Sequence, residues 1–257
     1  MTTVGLLYPG HAAEDDYPRT EILLDTDIRL PLFSTGTGEE AEGAYRADAL
    51  RDQGAPARIA EGVEELRLAG AEALLWASSA GSFGQGWEGA HAQVATLARS
   101  AGLPASSTSI GFVHALRELG AGRVAVAAPY PEDVTGLFAD FLASAGVEVV
   151  AAASGGAASS AEAGAWVPER VKGLAREADH PDAEVVLIPD TSLHTAAYVP
   201  ELEELLGKPV LTANQVTVWE GLRLTDRRTW APLLGTLFAT REPVLRSLEP
   251  KGIEVRE

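Results

Sequence analysis

The chain contains no cysteine. Disulfides, thiolate-rich metal centres and thiol nucleophiles are therefore excluded. Long apolar runs are missing too: nothing reaches the roughly 18 consecutive apolar residues that read as a membrane-spanning helix. The opening stretch, MTTVGLLYPGHAAEDDYP, has no basic segment ahead of its short apolar run, and acidic residues follow at once. It does not read as a secretory leader, so a cytoplasmic location is expected. Basic residues are scarce, 20 Lys and Arg against 37 Asp and Glu, for a formal net charge of −17. Nucleic-acid phosphates and anionic membrane surfaces are held by clustered Lys and Arg, so neither is an expected partner. The same scarcity means that an acidic ligand has to be met by local N–H and hydroxyl donors.

What is present is ordinary globular material. The 257 residues are 46% hydrophobic, enough to bury a substantial core. Short apolar runs at 4–8, 28–33, 73–77, 124–128, 147–151, 185–188 and 210–212 do not alternate with polar residues, which is how strands covered on both faces read. Between them lie helical periodicities at 57–69, 88–101, 109–119, 131–145, 168–178, 199–206, 215–224 and 230–248. Hydroxyls at Ser107 to Ser109 offer a helix start, and Gly102, Gly120, Gly146 and Gly207 sit where helices should stop. The repeated β-α order predicts an α/β fold with parallel sheets. Residues 34–56 and 151–165 carry weak patterns, the second reading as a loop near a site rather than a linker.

Two stretches share one plan. EALLWASSAGSFGQGWEGAHAQVATLARSAGLPASSTS and EVVLIPDTSLHTAAYVPELEELLGKPVLTANQ each run from an acidic start through four apolar residues to a small polar cluster. A loop, a helix, a glycine stop, a Leu-Pro or Lys-Pro step and a polar cap follow in both. The echo predicts two similar α/β halves, 1–110 and 111–225, with a C-terminal helix and tail over 226–257 packing back on them. Ligands of open α/β sheets bind beyond the carboxyl ends of the strands. Four such ends then face one cleft: Pro9-Gly10-His11, Ser78-Ser79, Pro129-Tyr130 and Asp190-Thr191-Ser192.

Three of these segments carry a family resemblance. Ser78-Ser79-Ala80-Gly81-Ser82-Phe83, Ala128-Pro129-Tyr130-Pro131-Glu132-Asp133-Val134 and the strand end from Leu187 to Ser192, with the tail at 210–224, resemble the aspartate/glutamate/hydantoin racemase superfamily. The nearer likeness is to its maleate cis-trans isomerase and arylmalonate decarboxylase branch. The resemblance implies two pseudo-symmetric halves with the active site between them, no cofactor, a small carboxylate substrate and assembly into a homo-oligomer. It also implies catalytic cysteines at one or both facing strand ends. Here the first of those positions falls on Ser78 or Ser79 and the second on Asp190, so two-thiol racemisation and thiol-addition isomerisation are excluded.

The surviving chemistry is a proton donor beside an oxyanion cradle. Asp190 is the candidate acid or base, or else a helix cap. Ser78 is the second catalytic candidate. Ser79, Tyr130, Thr191 and Ser192 are candidate donors to a carboxylate or enediolate, or plain loop and core-edge residues. Pro9 and His11 are candidate ligand contacts, and His194 a weaker one. Glu14, Asp15 and Asp16 read as a solvated acidic run. No His/Asp spacing suggests a metal site, and no G-x-G-x-x-G, P-loop or G-x-S-x-G motif is present. The sequence thus points to a cofactor-independent decarboxylase or isomerase, or to a non-catalytic small-acid binder of the same fold.

Overall fold

The computed structural model describes residues 1–36 and 44–240. The first half runs β1 (Thr2–Pro9), α1 (Asp16–Leu24), β2 (Ile28–Arg29), β3 (Leu32–Thr35), α2 (Ala47–Gln53), α3 (Pro56–Ala60), α4 (Val63–Leu68), β4 (Ala73–Trp76), α5 (Ala80–Phe83), α6 (Gly86–Ala101), β5 (Ala105–Ser107) and α7 (Thr108–Leu119). The second runs β6 (Arg123–Ala128), α8 (Glu132–Ser144), β7 (Glu148–Ser154), α9 (Ser160–Gly164), α10 (Pro168–Ala178), β8 (Val185–Ile188), α11 (Val199–Leu206), β9 (Val210–Thr212) and α12 (Ala213–Leu224).

All strand pairs are parallel, and the internal echo is a duplicated topology. The first sheet is ordered β2-β1-β4-β5 with β3 also on β1, and the second is ordered β7-β6-β8-β9. With β2 and β3 counted as one split strand, each half places its first strand beside its third, with the fourth outermost. In both, a helix ends on a left-handed glycine (Gly102 after α6, Gly207 after α11, each at φ 65°), and a proline step then enters the edge strand. β4 and β8 are buried on every residue, as their unalternating apolar runs required.

Three expectations are corrected. The helix expected over 57–69 is broken into α3 and α4 at Gly62, which packs against Phe33 and Leu7 with no room for a Cβ. The strand expected over 28–33 is split at Pro31, which has no N–H to continue the ladder. The C-terminal helix expected over 230–248 is absent from its described part: two 3-10 turns, Pro232–Leu234 and Thr236–Phe238, flank Gly235 at φ 81°, ψ −176°. The Glu203 carboxylate takes the Thr236 N–H at 3.0 Å and holds this turn open. The remainder of that expected helix lies outside the described residues.

α12 follows the last strand of the second half but packs on β4 and β5 of the first, with the Thr108 and Thr217 hydroxyls bonded at 2.6 Å across α7 and α12. Gly221 makes this approach close. A methyl group there would drive into Val4 Cγ1 and come within 3.1 Å of Leu75 Cδ2. Gly221→Ala is expected to cost about 1–3 kcal/mol by overpacking, read as a lowered urea midpoint with unchanged slope. A midpoint at or above wild type would show that the two halves are not held at this contact.

Candidate active site

β8 delivers Asp190 into the interior. Only Pro189 separates it from the last buried strand residue, and Asp190 is 3% exposed. A buried carboxyl needs hydrogen-bond partners, and this one has them from both halves. The Tyr45 hydroxyl, from the segment before α2, donates to Oδ2, and the Ser192 N–H donates to Oδ1 at 2.8 Å. Burial pushes the Asp190 carboxyl up to about 6, against the opposing pull of Tyr45 and of the Ser192 N–H and hydroxyl. Asp190 does not cap a helix: the next helical turn begins at Ala196, and its carboxyl closes a local turn on Ser192 instead.

The facing strand end comes from β4. Ser78 is buried, and its hydroxyl is fully engaged, donating to Gln53 Oε1 at 3.2 Å and accepting the Gly81 N–H at 3.0 Å. That engagement ties the Ser78 hydroxyl into the turn that leads to α5. Ser79 differs. Its hydroxyl is buried and has no hydrogen-bond partner, although it lies near enough to Tyr130 to favour that phenol's ionised form. The Tyr130 hydroxyl donates to the Pro189 carbonyl at 2.5 Å. Its proton is directed to the strand end that carries Asp190. The Tyr130 ring packs edge-on to Tyr45 at 4.7 Å and to Phe83 at 5.7 Å. Ser79, Tyr130, Tyr45 and Asp190 thus form one continuous buried group across the two halves.

Thr191 and Ser192 are buried beside Asp190, and the Thr191 carbonyl accepts the Tyr8 hydroxyl at 3.1 Å. Pro9 ends β1 opposite Thr35. His11 is exposed, bonded through Nδ1 to Glu14 at 3.2 Å. It lines a cleft of about 290 Å³ with Gly10, Ser34, Thr35 and Gly36 of the first half and Ser160 and Ala161 of the second. The structure does not bring it to Asp190. His194 pairs with Asp15 at 2.9 Å, both well exposed.

Two features escaped the sequence reading. Tyr45 sits in a glycine-rich, charged stretch with little pattern; its one signal is being the sole aromatic residue between Phe33 and Trp76. Asp16 is not part of a solvated run. It is wholly buried, and its carboxylate accepts the N–H groups of Thr195 and Ala196 at 2.8 and 3.1 Å. Among the described residues no three His, Asp or Glu side chains gather as a metal site, and no helix is long and apolar enough to cross a membrane.

This geometry has counterparts. The sequence profile of the arylmalonate decarboxylase family matches residues 51–238. Arylmalonate decarboxylase of Bordetella bronchiseptica is 27% identical over 242 residues, 92% of this chain and 96% of that enzyme. Maleate isomerase of Geobacillus stearothermophilus is 27% identical over 155 residues, a match that spans 59% of this chain and 62% of that protein. A crystal structure of arylmalonate decarboxylase superposes with a TM-score of 0.72 at 26% identity, over 92% of this chain and 98% of its own. Maleate cis-trans isomerase of Nocardia farcinica, a cysteine-to-serine variant holding a covalent succinylcysteine intermediate, shares the fold with a TM-score of 0.83 at 20% identity, over 94% and 99% of the two chains. The homologues are decarboxylases and isomerases, and their two-halved parallel fold is the one described above. The chain belongs to the arylmalonate decarboxylase family.

Proposed function

We propose that the protein is a cofactor-independent decarboxylase of a small malonate-like acid, with the buried Asp190 carboxyl standing where the family resemblance places a thiol. The observation that carries this reading is Asp190 itself: a buried carboxyl raised to about 6 and hydrogen-bonded by Tyr45, whose ring packs on Tyr130 beside the unpartnered Ser79 hydroxyl. The substrate carboxylate that stays is held by Ser79, by the Thr191 hydroxyl and by neighbouring backbone donors. The other leaves as carbon dioxide. Its carbon–carbon bond breaks, the electron pair enters an enediolate, and protonated Asp190 returns a proton to carbon. Water then reprotonates Asp190, so no further reactant is needed. A bound dianion favours the protonated form of Asp190 by Coulomb repulsion.

The same donor and cradle would serve a one-base isomerisation through an enediolate. Isomerisation by thiol addition, the chemistry of a succinylcysteine intermediate, has no nucleophile in a chain without cysteine. Tyr45 also ties the two halves together beside the site, its N–H bonding the Ala158 carbonyl at 3.0 Å.

The test is proton NMR in D2O with substituted malonates, maleate and amino dicarboxylates, wild type beside Asp190→Asn. Loss of carbon dioxide with deuterium at carbon is expected from wild type, with at least a 100-fold lower rate in the variant, roughly the scale of a positioned proton donor. Full activity in Asp190→Asn would end the proposal, and ligand-induced stabilisation without turnover would mark a binder of small acids. Because the donor must be protonated, kcat/KM is expected to fall as pH rises through about 6. A rate that rises over that range would make Asp190 a base.

Stability follows the same group. The folded carboxyl titrates near 6 and an unfolded aspartate near about 3.9, so the folded state holds the proton more tightly. The contribution of protonated Asp190 is complete below about pH 4 and is lost as pH rises to about 6. Asp190→Asn removes this cost. It is expected to gain on the order of 2–3 kcal/mol on wild type between pH 4 and pH 8. Thermal melts at the two pH values check this; parallel curves would show that Asp190 is not a raised carboxyl.

A further inference from the structure

The chain buries a second carboxylate, Asp16, that the proposed chemistry does not use. It is the first residue of α1 yet does not cap that helix. Its Oδ2 instead reaches the other half, accepting the N–H groups of Thr195 and Ala196 and the Asn214 side-chain amide at 3.0 Å. Asn214 is itself oriented, since the Tyr17 hydroxyl donates to its Oδ1 at 3.1 Å and its amide also donates to the Leu193 carbonyl at 3.2 Å. Upstream, the Tyr8 hydroxyl donates to the Thr191 carbonyl and accepts the Ala13 N–H at 3.0 Å.

These bonds share one object, the irregular stretch that follows β8. Its backbone has no ladder or helix to satisfy it, yet it is largely buried. A buried loop must find partners for its polar groups elsewhere. Here four of its groups, the Thr191 and Leu193 carbonyls and the Thr195 and Ala196 N–H groups, are tied to side chains of β1, α1 and α12. The loop begins at Asp190, whose carboxyl is held by the Ser192 N–H of the same stretch. Gly164 of α9 closes the other side, where even a Cβ would come within 3.3 Å of the Ser192 carbonyl. The loop therefore has little freedom except through Asp16 and its partners.

Two further facts argue against a role in stability alone. Burial pushes the Asp16 carboxyl up, against Asn214 and the two N–H groups that favour its ionised form. Asp16 Oδ1 and the Thr195 hydroxyl are also buried without partners. A site selected only for stability would satisfy those atoms or replace them with apolar groups.

We propose that Asp16 is the positioning residue for Asp190: acting from the first half, it holds the 190–196 loop of the second so that the Asp190 carboxyl stays hydrogen-bonded to Tyr45 and to the Ser192 N–H. The kinetic part of this inference rests on the decarboxylase reading; the structural part does not.

The experiment separates the two. Carbon-13 NMR of labelled aspartate carboxyls, assigned to Asp190 by its loss in Asp190→Asn, follows its titration in wild type, Asp16→Ala and Asp16→Asn. In Asp16→Ala the loop drifts, the Ser192 N–H and Tyr45 lose alignment, and Asp190 is expected to titrate at higher pH than in wild type. In Asp16→Asn a neutral oxygen still accepts the loop N–H groups, so the titration is expected to return toward wild type. Activity on an identified substrate should follow: kcat down by about 100-fold in Asp16→Ala, KM changed far less, and most of the loss recovered in Asp16→Asn. If Asp16→Ala does not fold, Asn214→Ala takes its place, freeing the Leu193 carbonyl while leaving the carboxylate in position; the Asp190 titration should again move upward. An unmoved Asp190 titration in a folded Asp16→Ala or Asn214→Ala protein overturns the proposal, whatever happens to the melting temperature. A shifted titration in a protein that turns over nothing would leave the positioning role standing and sink the decarboxylase reading instead.

Discussion

The structure around the cleft depends on one requirement: a carboxyl group placed at the end of a buried parallel strand has to be hydrogen-bonded there. An unpartnered carboxylate in such a place costs several kcal/mol. Asp190 meets the requirement with Tyr45 from one half and Ser192 from its own loop. The Tyr45 bond is possible only when the halves are packed in their observed orientation, whereas the Ser192 bond is local to the loop. The Tyr130 hydroxyl on the Pro189 carbonyl, the Tyr8 hydroxyl on the Thr191 carbonyl and the Asp16 carboxylate on Thr195 and Ala196 all fix the segment that carries Asp190. Three tyrosines with raised phenol pKa values, Tyr8, Tyr45 and Tyr130, surround a single acid. They stay protonated at neutral pH and so remain donors.

For the carboxylate substrate proposed above, this arrangement offers local donors in a protein whose net charge is −17. Nothing in the cleft depends on a broad positive field. Hydroxyl and amide donors act over one hydrogen bond, and in a water-poor site they are worth far more than at the surface. The duplicated sheet order supplies the geometry. β4 lies beside β1 as β8 lies beside β6, so the two polar clusters after β4 and β8 occupy equivalent places in the two halves. The halves have diverged at those ends: the Ser78 hydroxyl builds a turn, the Ser79 hydroxyl is left unpartnered, and Asp190 supplies the ionisable group.

Much of this was readable without coordinates. Val185 to Ile188, four apolar residues in a row, announced a strand covered on both faces, and the polar residues after it announced a site, because strand ends in such folds are where backbone and side chains meet solvent-accessible space. The helix stops at Gly102 and Gly207 were legible because only a left-handed residue continues the chain there. The same reading picks out Ser79, Asp190, Thr191 and Ser192 as candidates, and all four are buried in the structure. The parallel fold and its two halves followed from local pattern repeated along the chain, and local pattern is what a sequence records most directly.

Partners from distant positions were not legible. Tyr45 lies 145 residues from Asp190, and Asp16 lies 179 from Thr195. No local periodicity encodes either meeting. Asp16 stands in an acidic run that in isolation is a solvated surface, and becomes a buried acceptor only because α1 packs against the loop after β8. Ser78 and Ser79 are chemically identical neighbours; Gln53 and the Gly81 N–H engage one hydroxyl and leave the other unpartnered. Composition and pattern were enough to specify a cysteine-free, acidic, doubled α/β chain with polar strand ends. Which of those polar groups are buried, and which hydrogen-bond partners each one meets, was decided by long-range packing, since Tyr45 reaches Asp190, and Asp16 reaches Thr195, only when the two halves come together.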